Sequence, residues 1–474
     1  MKKIPLISLI LAAILLFSAF GVSAAESDSV AVTAGCRSVR ASMALGGSEK
    51  LTETADAVLL YELNTDTMVY SWNIDKVIDP TGMVKILTAL VALENGNLDD
   101  EVTVKRSTLN TVTIGAVSAN LQAGEVIRVR DLLYCVMVSS ANDAAAVLAE
   151  HIGGTQSAFV EMMNEKAKEL GCTNSQFANV HGLSGTQQYS TARDLAIITE
   201  AALENKLFTK MFCASSYTVP ATNKSGERYI MTTNYMMSDE SVKNQLDSRV
   251  TGGKTAAATL TDRSLICTAE VGSSRYLCIV MSAEGKVTDD GFVVLRYGSF
   301  EETRVVLDYG FQNFAVRQVA NTLQTFAQYH VVGGENDVSV KVTEDLYTVL
   351  PADYDPEKLV FDTVMDAALL QVPIATGDTL GTLKVSYGNI VLGTFDLVAM
   401  HPVAEEGTVI EDAPMLEQEK PEPYDVKGLL IKVGMILAGV LLAAAVILIV
   451  IRLVNNFRKH QMYRRRMRNR RRSR

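Results

Sequence analysis

The chain has 474 residues, of which 48% are hydrophobic and 21% are charged, and this composition excludes an intrinsically disordered protein. Its formal net charge is -10, and its six cysteines are too few for a disulfide-dense scaffold and show no CxxC spacing for a metal site. The length predicts two or three domains.

The chain begins with the pattern of a secretory signal peptide. Two lysines follow the first methionine, an apolar run extends from residue 4 to residue 20, and small residues follow at positions 22–25. We therefore expect residues 1–25 to be a cleaved export signal rather than a retained anchor. Residues 26–52 have no strong periodicity and are predicted to be a flexible lead-in.

A hairpin is predicted to open the first folded domain, which we place at residues 53–318. Residues 57–61 and 67–72 have the pattern of two strands joined by a polar turn. Just after Pro80, apolar residues recur at helical spacing, which predicts a helix over residues 83–93.

The middle of this domain is predicted to be helical and its end to return to strands. Residues 126–150 have helical periodicity, and residues 156–170 are predicted to form an amphipathic helix. Strand patterns follow at 264–269 and 276–281, and residues 290–311 are predicted to form a closing helix. Strands at both ends around a helical middle predict an α/β domain with one sheet assembled from both ends of the domain.

Most of the cysteines are predicted to be buried thiols. If any pair is bridged, the first candidates are Cys267 and Cys278, which would face each other across a hairpin that turns at residues 272–274.

A small all-β domain is predicted at residues 323–402. Its short β-rich segments, separated by glycine-containing turns, are 337–342, 346–349, 378–385 and 389–397. Residues 403–427 are rich in acids and prolines, and they are predicted to form a solvated stalk.

The C-terminal end has the pattern of a membrane anchor. Residues 433–451 are uninterruptedly apolar, which predicts one transmembrane helix over residues 431–453. Eleven basic residues and no acid lie between residues 452 and 474, so the tail at 454–474 is predicted to be cytoplasmic and near anionic lipid. The large N-terminal part is then extracellular. It is acidic, because 33 basic and 54 acidic residues remain outside residues 452–474, and nucleic acid is not an expected partner.

Three short motifs are the candidates for chemistry. They are Gly82-Met83-Val84-Lys85, Ser140-Ala141-Asn142 and Lys254-Thr255-Ala256. They approximate the three parts of an acyl-transfer site of the penicillin-binding type, namely Ser-x-x-Lys at a helix start, Ser-x-Asn, and Lys-Thr-Gly on a strand.

The spacing of such motifs has a physical reason. Three residues along a helix place a nucleophile and a lysine on one face, so the amine can take the hydroxyl proton. The Ser-x-Asn adds a relay hydroxyl and an amide for the substrate backbone, and the strand Lys and Thr meet a substrate carboxylate. Backbone N–H groups complete an oxyanion hole.

Around these motifs the chain resembles the serine-type D-Ala-D-Ala carboxypeptidases, which are low-molecular-weight penicillin-binding proteins of peptidase family S11. The resemblance runs from about residue 55 to residue 401. Its landmarks, in the family's order, are Ser140-Ala141-Asn142-Asp143-Ala144, Phe159 to Ala167, His181-Gly182-Leu183, Tyr189 to Asp194, and Gly253-Lys254-Thr255.

The resemblance implies a fold, a substrate class and site residues. The fold is a penicillin-binding-protein/β-lactamase-like transpeptidase domain followed by a small all-β domain, and the substrate class is the D-Ala-D-Ala end of peptidoglycan stem peptides. The implied catalytic residues are Lys85, Ser140 and Asn142. The implied substrate-binding residues are Lys254, Thr255 and Ala256.

Two positions depart from the family pattern. The family's Pro-Ala-Ser-x-Thr-Lys is Pro80-Thr81-Gly82-Met83-Val84-Lys85 in this chain, so Gly82 occupies the nucleophile position and has no side chain that could attack a carbonyl. Ala256 replaces the glycine of Lys-Thr-Gly and adds a methyl group where the substrate would lie. Thr81 is an imperfect substitute, because it is rotated by about 100° from the nucleophile position on the helix. Ser140 would lose its relay role if it attacked.

Three functions remain open. The chain is either a catalytically impaired relative that binds stem peptides or a cell-wall enzyme as a regulator, an active carboxypeptidase with a surrogate nucleophile, or a membrane-anchored scaffold of cell-wall assembly. We expect no metal or cofactor, because the five histidines do not cluster and no phosphate-binding loop is visible. His181 is expected to be structural.

Overall fold

The computed structural model describes residues 44–47, 49–183, 187–238, 245–291 and 294–406. The predicted signal peptide, membrane helix and basic tail, and all but the start of the predicted stalk, lie outside the described residues. Within the described residues, no helix is both long enough and apolar enough to cross a membrane.

The first domain alternates short strands and helices before it ends in a helix. Its elements are β1 (Ala57–Glu62), β2 (Thr67–Trp72), α1 (Val84–Asn95), β3 (Glu101–Thr103), α2 (Arg106–Leu109), β4 (Val126–Arg128), α3 (Val129–Met137), α4 (Asn142–Gly153), α5 (Gln156–Glu169), α6 (Ala192–Leu203), α7 (Lys206–Phe212), β5 (Ser216–Val219), β6 (Arg228–Met231), β7 (Val250–Ala257), β8 (Asp262–Val271), β9 (Ser274–Glu284), β10 (Lys286–Val287), β11 (Val294–Arg296) and α8 (Gly298–Asn313).

The main sheet has the order β2-β1-β9-β8-β7, so strands from both ends of the domain meet in it, as predicted. Its two faces carry separate cores. Leu59 and Tyr61 of β1 pack into the helical core, whereas Val58 and Leu60 pack into the core that includes α8. Because alternate residues of a strand point to opposite faces, burial on both faces explains why β1 is continuously apolar.

The predicted helical segment at residues 126–150 is interrupted in the structure. It consists of β4, α3 and α4, with a break at Ser140, whose φ of 62° is left-handed. The N–H of Ala141 turns back to the carbonyl of Cys135 at 3.0 Å, and the N–H of Asn142 leaves the helical pattern to reach the carbonyl of Val117 at 2.9 Å. Contacts distant in sequence therefore override the local periodicity.

The lead-in and the closing helix also differ from the prediction. The N–H groups of Leu45 and Gly46 donate to the carbonyls of Met68 and Val69, each at 2.8 Å, so part of the predicted flexible segment lies against β2. The closing helix begins at Gly298 rather than near residue 290, because β10 and β11 pair before it.

Cys267 and Cys278 lie directly opposite each other in β8 and β9, so their predicted hairpin placement is confirmed. Both are buried free thiols in the structure, and no disulfide joins them.

The second region is all-β, as predicted, and it has its own core. Its strands are β12 (Phe314–Ala320), β13 (Ala327–Tyr329), β14 (Val331–Val332), β15 (Val338–Val342), β16 (Leu346–Pro351), β17 (Leu359–Met365), β18 (Leu370–Gln371), β19 (Thr379–Tyr387) and β20 (Ile390–Ala399). Five of them form a sheet of order β13-β15-β20-β19-β17, and β12 pairs with β16. Val403, placed in the predicted stalk, still donates to the carbonyl of Ile374 at 2.9 Å.

Candidate active site

Gly82 lies in a 3-10 turn that leads from Pro80 into α1. A side chain built at Gly82 would place its Cβ 3.6 Å from the Cβ of Ala256 and 3.7 Å from the Nζ of Lys85. Both are ordinary van der Waals distances, and the Gly82 backbone is not in the left-handed region. Residue 82, which the resemblance aligns with the nucleophile, therefore has no side chain here, but there is room for a small one.

Gly182 holds a second loop against this turn. Its φ is 79°, and a Cβ at Gly182 would lie 1.9 Å from the carbonyl oxygen of Thr81, so only glycine fits there. This close approach brings the carbonyl of His181 to the Nζ of Lys85, which donates a hydrogen bond to it. Burial, together with the charge of Lys85, lowers the pKa of His181 to about 4, so its ring is neutral at neutral pH.

Lys85 is the amine nearest the empty position. Its side chain is buried, with 2% exposure. Burial, assisted by the positive charge of Lys254, holds the pKa of Lys85 well below that of an ordinary lysine, which favours the neutral amine. A neutral amine is the form that can accept a hydroxyl proton.

Ser140 and Lys254 form the opposite wall of the site. The Nζ of Lys254 donates to the Oγ of Ser140 at 2.8 Å and to the carbonyl of Thr255 at 3.0 Å. Lys254 is fully buried in β7, and this burial lowers its pKa to about 7. The left-handed turn at Ser140, just before α4, is what points its hydroxyl toward the strand.

Asn142 and Asp143 position a loop beside the site. The Nδ2 of Asn142 donates to the carbonyl of Val117 at 2.8 Å, and Asp143 accepts from the N–H groups of Ala119 and Leu121 at 2.8 and 3.0 Å. The Oδ1 of Asn142 is buried and accepts no hydrogen bond from the described residues. A buried acceptor without a donor is costly, so it is suited to receive an N–H from a ligand.

These residues surround one cleft of about 420 Å³. Its lining residues are Gly82, Lys85, Gly115, Ala116, Val117, Ser140, Asn142, His181, Gly182, Leu183, Thr233, Tyr235, Thr255, Ala256, Ala257 and Arg263. One side of the cleft is β7, which is an edge strand of the described sheet. An extended peptide can pair with such an edge through its backbone.

The structure brings together every residue that the sequence implied for the site. Lys254 contributes through Ser140 rather than by lining the cleft itself, and Thr255 donates to the hydroxyl of Thr233 at 2.6 Å. Thr81, the imperfect substitute, is not among the lining residues and is only 6% exposed.

Sequence reasoning missed several residues of the cleft. Thr233, Tyr235 and Arg263 line it, and the carbonyl of His181 accepts a hydrogen bond from Lys85. Thr233, Tyr235 and Arg263 lie outside the recognised motifs, so only tertiary contacts reveal them.

Comparisons with known proteins agree with this geometry. Residues 46–285 match the D-alanyl-D-alanine carboxypeptidase family, and residues 323–405 match the C-terminal domain of penicillin-binding protein 5. The chain is 27% identical over 366 residues to D-alanyl-D-alanine carboxypeptidase DacD of Salmonella typhimurium, covering 74% of this chain and 87% of that protein. It is 26% identical over 367 residues to DacF of Bacillus subtilis, covering 76% and 89%.

A solved structure supports the same likeness. Penicillin binding protein 5 from Haemophilus influenzae superposes with a TM-score of 0.60 at 26% identity, over 76% of this chain and 100% of that one.

Proposed function

Since the chain belongs to the D-alanyl-D-alanine carboxypeptidase family, peptidase family S11, we propose that it binds D-Ala-D-Ala stem peptides of peptidoglycan without cutting them efficiently. In this proposal it acts as a binder or regulator in cell-wall maturation, because Gly82 removes the group that would form the acyl-enzyme. A cell-wall enzyme is the alternative partner.

The empty nucleophile position supports this proposal. Lys85 lies 3.7 Å from the Cβ position of Gly82, and Lys254 hydrogen-bonds to Ser140, so the neighbours of the missing hydroxyl stand as an acyl-transfer site needs them. The site has thus lost its covalent step while it keeps groups that can hold a peptide.

Two further features favour peptide binding. The edge strand β7 offers backbone groups to an extended ligand, and the buried Oδ1 of Asn142 lacks a donor. Both requirements are met by the N–H and C=O groups of a peptide, which is the chemical form of a stem-peptide end.

The proposed location is the outer face of the cell membrane. The apolar segment at residues 431–453 and the basic tail after it support a single-pass anchor with a cytoplasmic C-terminus, and the signal pattern at residues 1–25 supports export. These segments lie outside the described residues, so the proposal rests on their sequence.

Intact-mass measurement after incubation with benzylpenicillin tests the proposal. We expect no adduct on the unaltered full-length protein, an adduct on the Gly82→Ser variant, and none on the matched Gly82→Ala variant. Binding of a stem peptide to the unaltered protein, without release of D-alanine, is expected from a thermal-shift titration. D-alanine release would restore the enzyme interpretation, and absence of binding would favour the scaffold.

One observation favours a second candidate, an active enzyme with a surrogate nucleophile. The Oγ of Ser140 accepts a hydrogen bond at 2.8 Å from Lys254, an amine whose pKa burial lowers to about 7. A penicillin adduct on the unaltered protein that disappears in Ser140→Ala would assign the reaction to this pair.

A further inference from the structure

We infer that Lys85 is a modification site for carbon dioxide, which its amine binds covalently as a carbamate in the space beside Gly82. The Nζ of Lys85 lies 3.7 Å from the Cβ position of Gly82, where the chain has no side chain, and Lys85 lines the cleft. Carbamate formation at this amine does not require the proposed peptide binding.

The amine of Lys85 has the properties of a nucleophile. An amine reacts through its lone pair, so only its neutral form attacks an electrophile. Burial, assisted by the charge of Lys254, holds the pKa of Lys85 well below that of an ordinary lysine and so favours this form. The hydrogen bond to the carbonyl of His181 uses an N–H of Lys85 and not the lone pair. Because residue 82 is glycine, no hydroxyl at that position competes for the lone pair.

Carbamate formation balances without any further reactant. The lone pair of Nζ forms a bond to the carbon of carbon dioxide, the electron pair of one C=O π bond moves onto its oxygen, and one proton leaves Nζ for water. The product is a carbamate anion, and no atom is oxidised or reduced. The N–H that remains on Nζ can still donate to the carbonyl of His181.

Burial limits the size of the electrophile that Lys85 can meet. The side chain is only 2% exposed, and the Cβ of Ala256 lies 3.6 Å from the Cβ position of Gly82. The space beside Nζ therefore has room for a small side chain, and carbon dioxide adds a group of similar size. A larger electrophile would have to displace Ala256 or the loop that carries His181.

The charges around Lys85 favour an anionic product. The charge of Lys254 disfavours a positive charge on Nζ, so it also disfavours the iminium cation that an aldehyde or ketone would form there. A carbamate is negative, and it attracts both Lys254 and the guanidinium of Arg263 in the cleft. No Asp or Glu is among the described residues that line the cleft, and the ring of His181 is neutral. Carbon dioxide is therefore a better match to this site than a carbonyl compound.

The opposite wall offers donors that lack an acceptor. The Oγ of Ser140 accepts from Lys254 at 2.8 Å, but among the described residues no acceptor takes the proton of Ser140. The ammonium of Lys254 has three N–H groups and two acceptors there, Ser140 and the carbonyl of Thr255. A carbamate oxygen on Lys85 would supply an acceptor within the same cleft. Hydrogen bonds to an ionised acceptor are stronger than those between neutral groups.

Chemical trapping on the full-length protein tests the inference. The protein is incubated at about pH 8 with isotopically labelled bicarbonate, which supplies dissolved carbon dioxide, and is then treated with triethyloxonium. This reagent transfers an ethyl group to a carbamate oxygen, and peptide mass mapping locates the stable product. We expect roughly 100-fold more label at Lys85 in the folded protein than in the denatured protein, because an ordinary lysine is only about 1% neutral at this pH.

Four variants test the cause of the labelling. Ser140→Ala removes a donor and Lys254→Met removes a cation, so each should lower the label at Lys85 roughly 10-fold. Gly82→Ser fills the space beside Nζ and should lower the label by a similar factor. Lys168→Met removes an exposed lysine of α5 and is the matched control, which should leave the label unchanged. The label is divided by the folded fraction from thermal unfolding, so that a loss of stability is not counted.

Two outcomes would overturn the inference. One is the absence of label at Lys85 in the folded, unaltered protein, or equal label in the folded and denatured proteins. The other is unchanged label in Gly82→Ser, Ser140→Ala and Lys254→Met together, which would mean that the carbamate does not form in this space. Neither outcome bears on peptide binding, which the thermal-shift titration measures separately.

Discussion

On one wall of the cleft, the turn at residues 80–85 has glycine at position 82, and a Cβ there would meet only ordinary contacts. On the opposite wall, Ser140 and Lys254 keep a hydrogen bond of 2.8 Å between residues 114 positions apart in sequence. The comparison shows that the shape of the first wall does not depend on a side chain at residue 82. Packing of Gly182 against Thr81 and the burial of α1 maintain it instead.

The largest expected effect comes from introducing a hydroxyl at residue 82. Under the proposed function, the unaltered protein should form no penicillin adduct and Gly82→Ser should form one, because the Nζ of Lys85 lies 3.7 Å from the Cβ position of residue 82. Adding Ala256→Gly removes a methyl group from the substrate path, and we expect acylation to be roughly 10-fold faster than with Gly82→Ser alone. The rate is measured by intact mass against time.

The single Ala256→Gly variant is the control for this double variant, and it should remain unmodified. If Gly82→Ser and the double variant both fail to form an adduct while stem-peptide binding persists, then the two walls are not aligned for chemistry.

The next largest effect is expected on folding stability, at the contact between Gly182 and the Thr81 carbonyl. Gly182→Ala places a Cβ 1.9 Å from the Thr81 carbonyl and strains a left-handed backbone, so we expect a loss of about 2–4 kcal/mol of folding free energy. Gly272→Ala is the matched control, since its φ is 60° but no atom lies within 4 Å of its Cβ position. It should cost about 1 kcal/mol.

Thermal unfolding of both glycine variants measures this difference. Equal melting temperatures for Gly182→Ala and Gly272→Ala would show that the approach of the His181 loop does not shape the site.

The lowered pKa of Lys254, on the opposite wall, predicts that stability depends on pH. Burial lowers the pKa of Lys254 to about 7, so between about pH 7 and pH 10 the unfolded chain binds more protons than the folded one. The free energy of unfolding therefore increases as the pH is raised through this window. It decreases as the pH is lowered toward 7. Lys254→Met should flatten the rise by up to about 1 kcal/mol per pH unit.

Melting temperatures across this pH range test the prediction. The exposed Lys168 of α5 provides the control, and Lys168→Met should leave the slope unchanged. The part of the slope that comes from Lys85 should persist only in reduced form in Lys254→Met, because burial, the larger cause of its lowered pKa, remains while the charge of Lys254 is removed. An identical slope in Lys254→Met and the unaltered protein would contradict the assignment.

The smallest effects contrast the two walls directly. Ser140→Ala removes one hydrogen-bond partner of the buried Lys254 and should cost about 1–2 kcal/mol. Gly82→Ala adds a methyl group in open contact and should change stability by only about 0.5 kcal/mol. Chemical denaturation of both variants provides the comparison, and an equal loss in both would mean that the first wall is as tightly packed as the second.

Much of this organisation could be predicted from the sequence. The β1–β2 hairpin, the helix after Pro80, the β8–β9 pair and four strands of the β region (β15, β16, β19 and β20) follow from local periodicity, because a periodic pattern indicates a single element. The other strands of the β region were not predicted. The prediction that Gly82 stands at the nucleophile position comes from the family resemblance and the register of its first motif.

The rest was decided by contacts between distant residues. The break at Ser140, the clash that excludes any side chain at Gly182, and the entry of Arg263 into the cleft have no signal in local periodicity. Periodicity describes which face of an element is apolar, but it does not specify which loop lies against which strand. The sequence by itself determined many of the elements and the glycine at position 82, whereas tertiary packing decided which charges and hydrogen-bond partners surround that position.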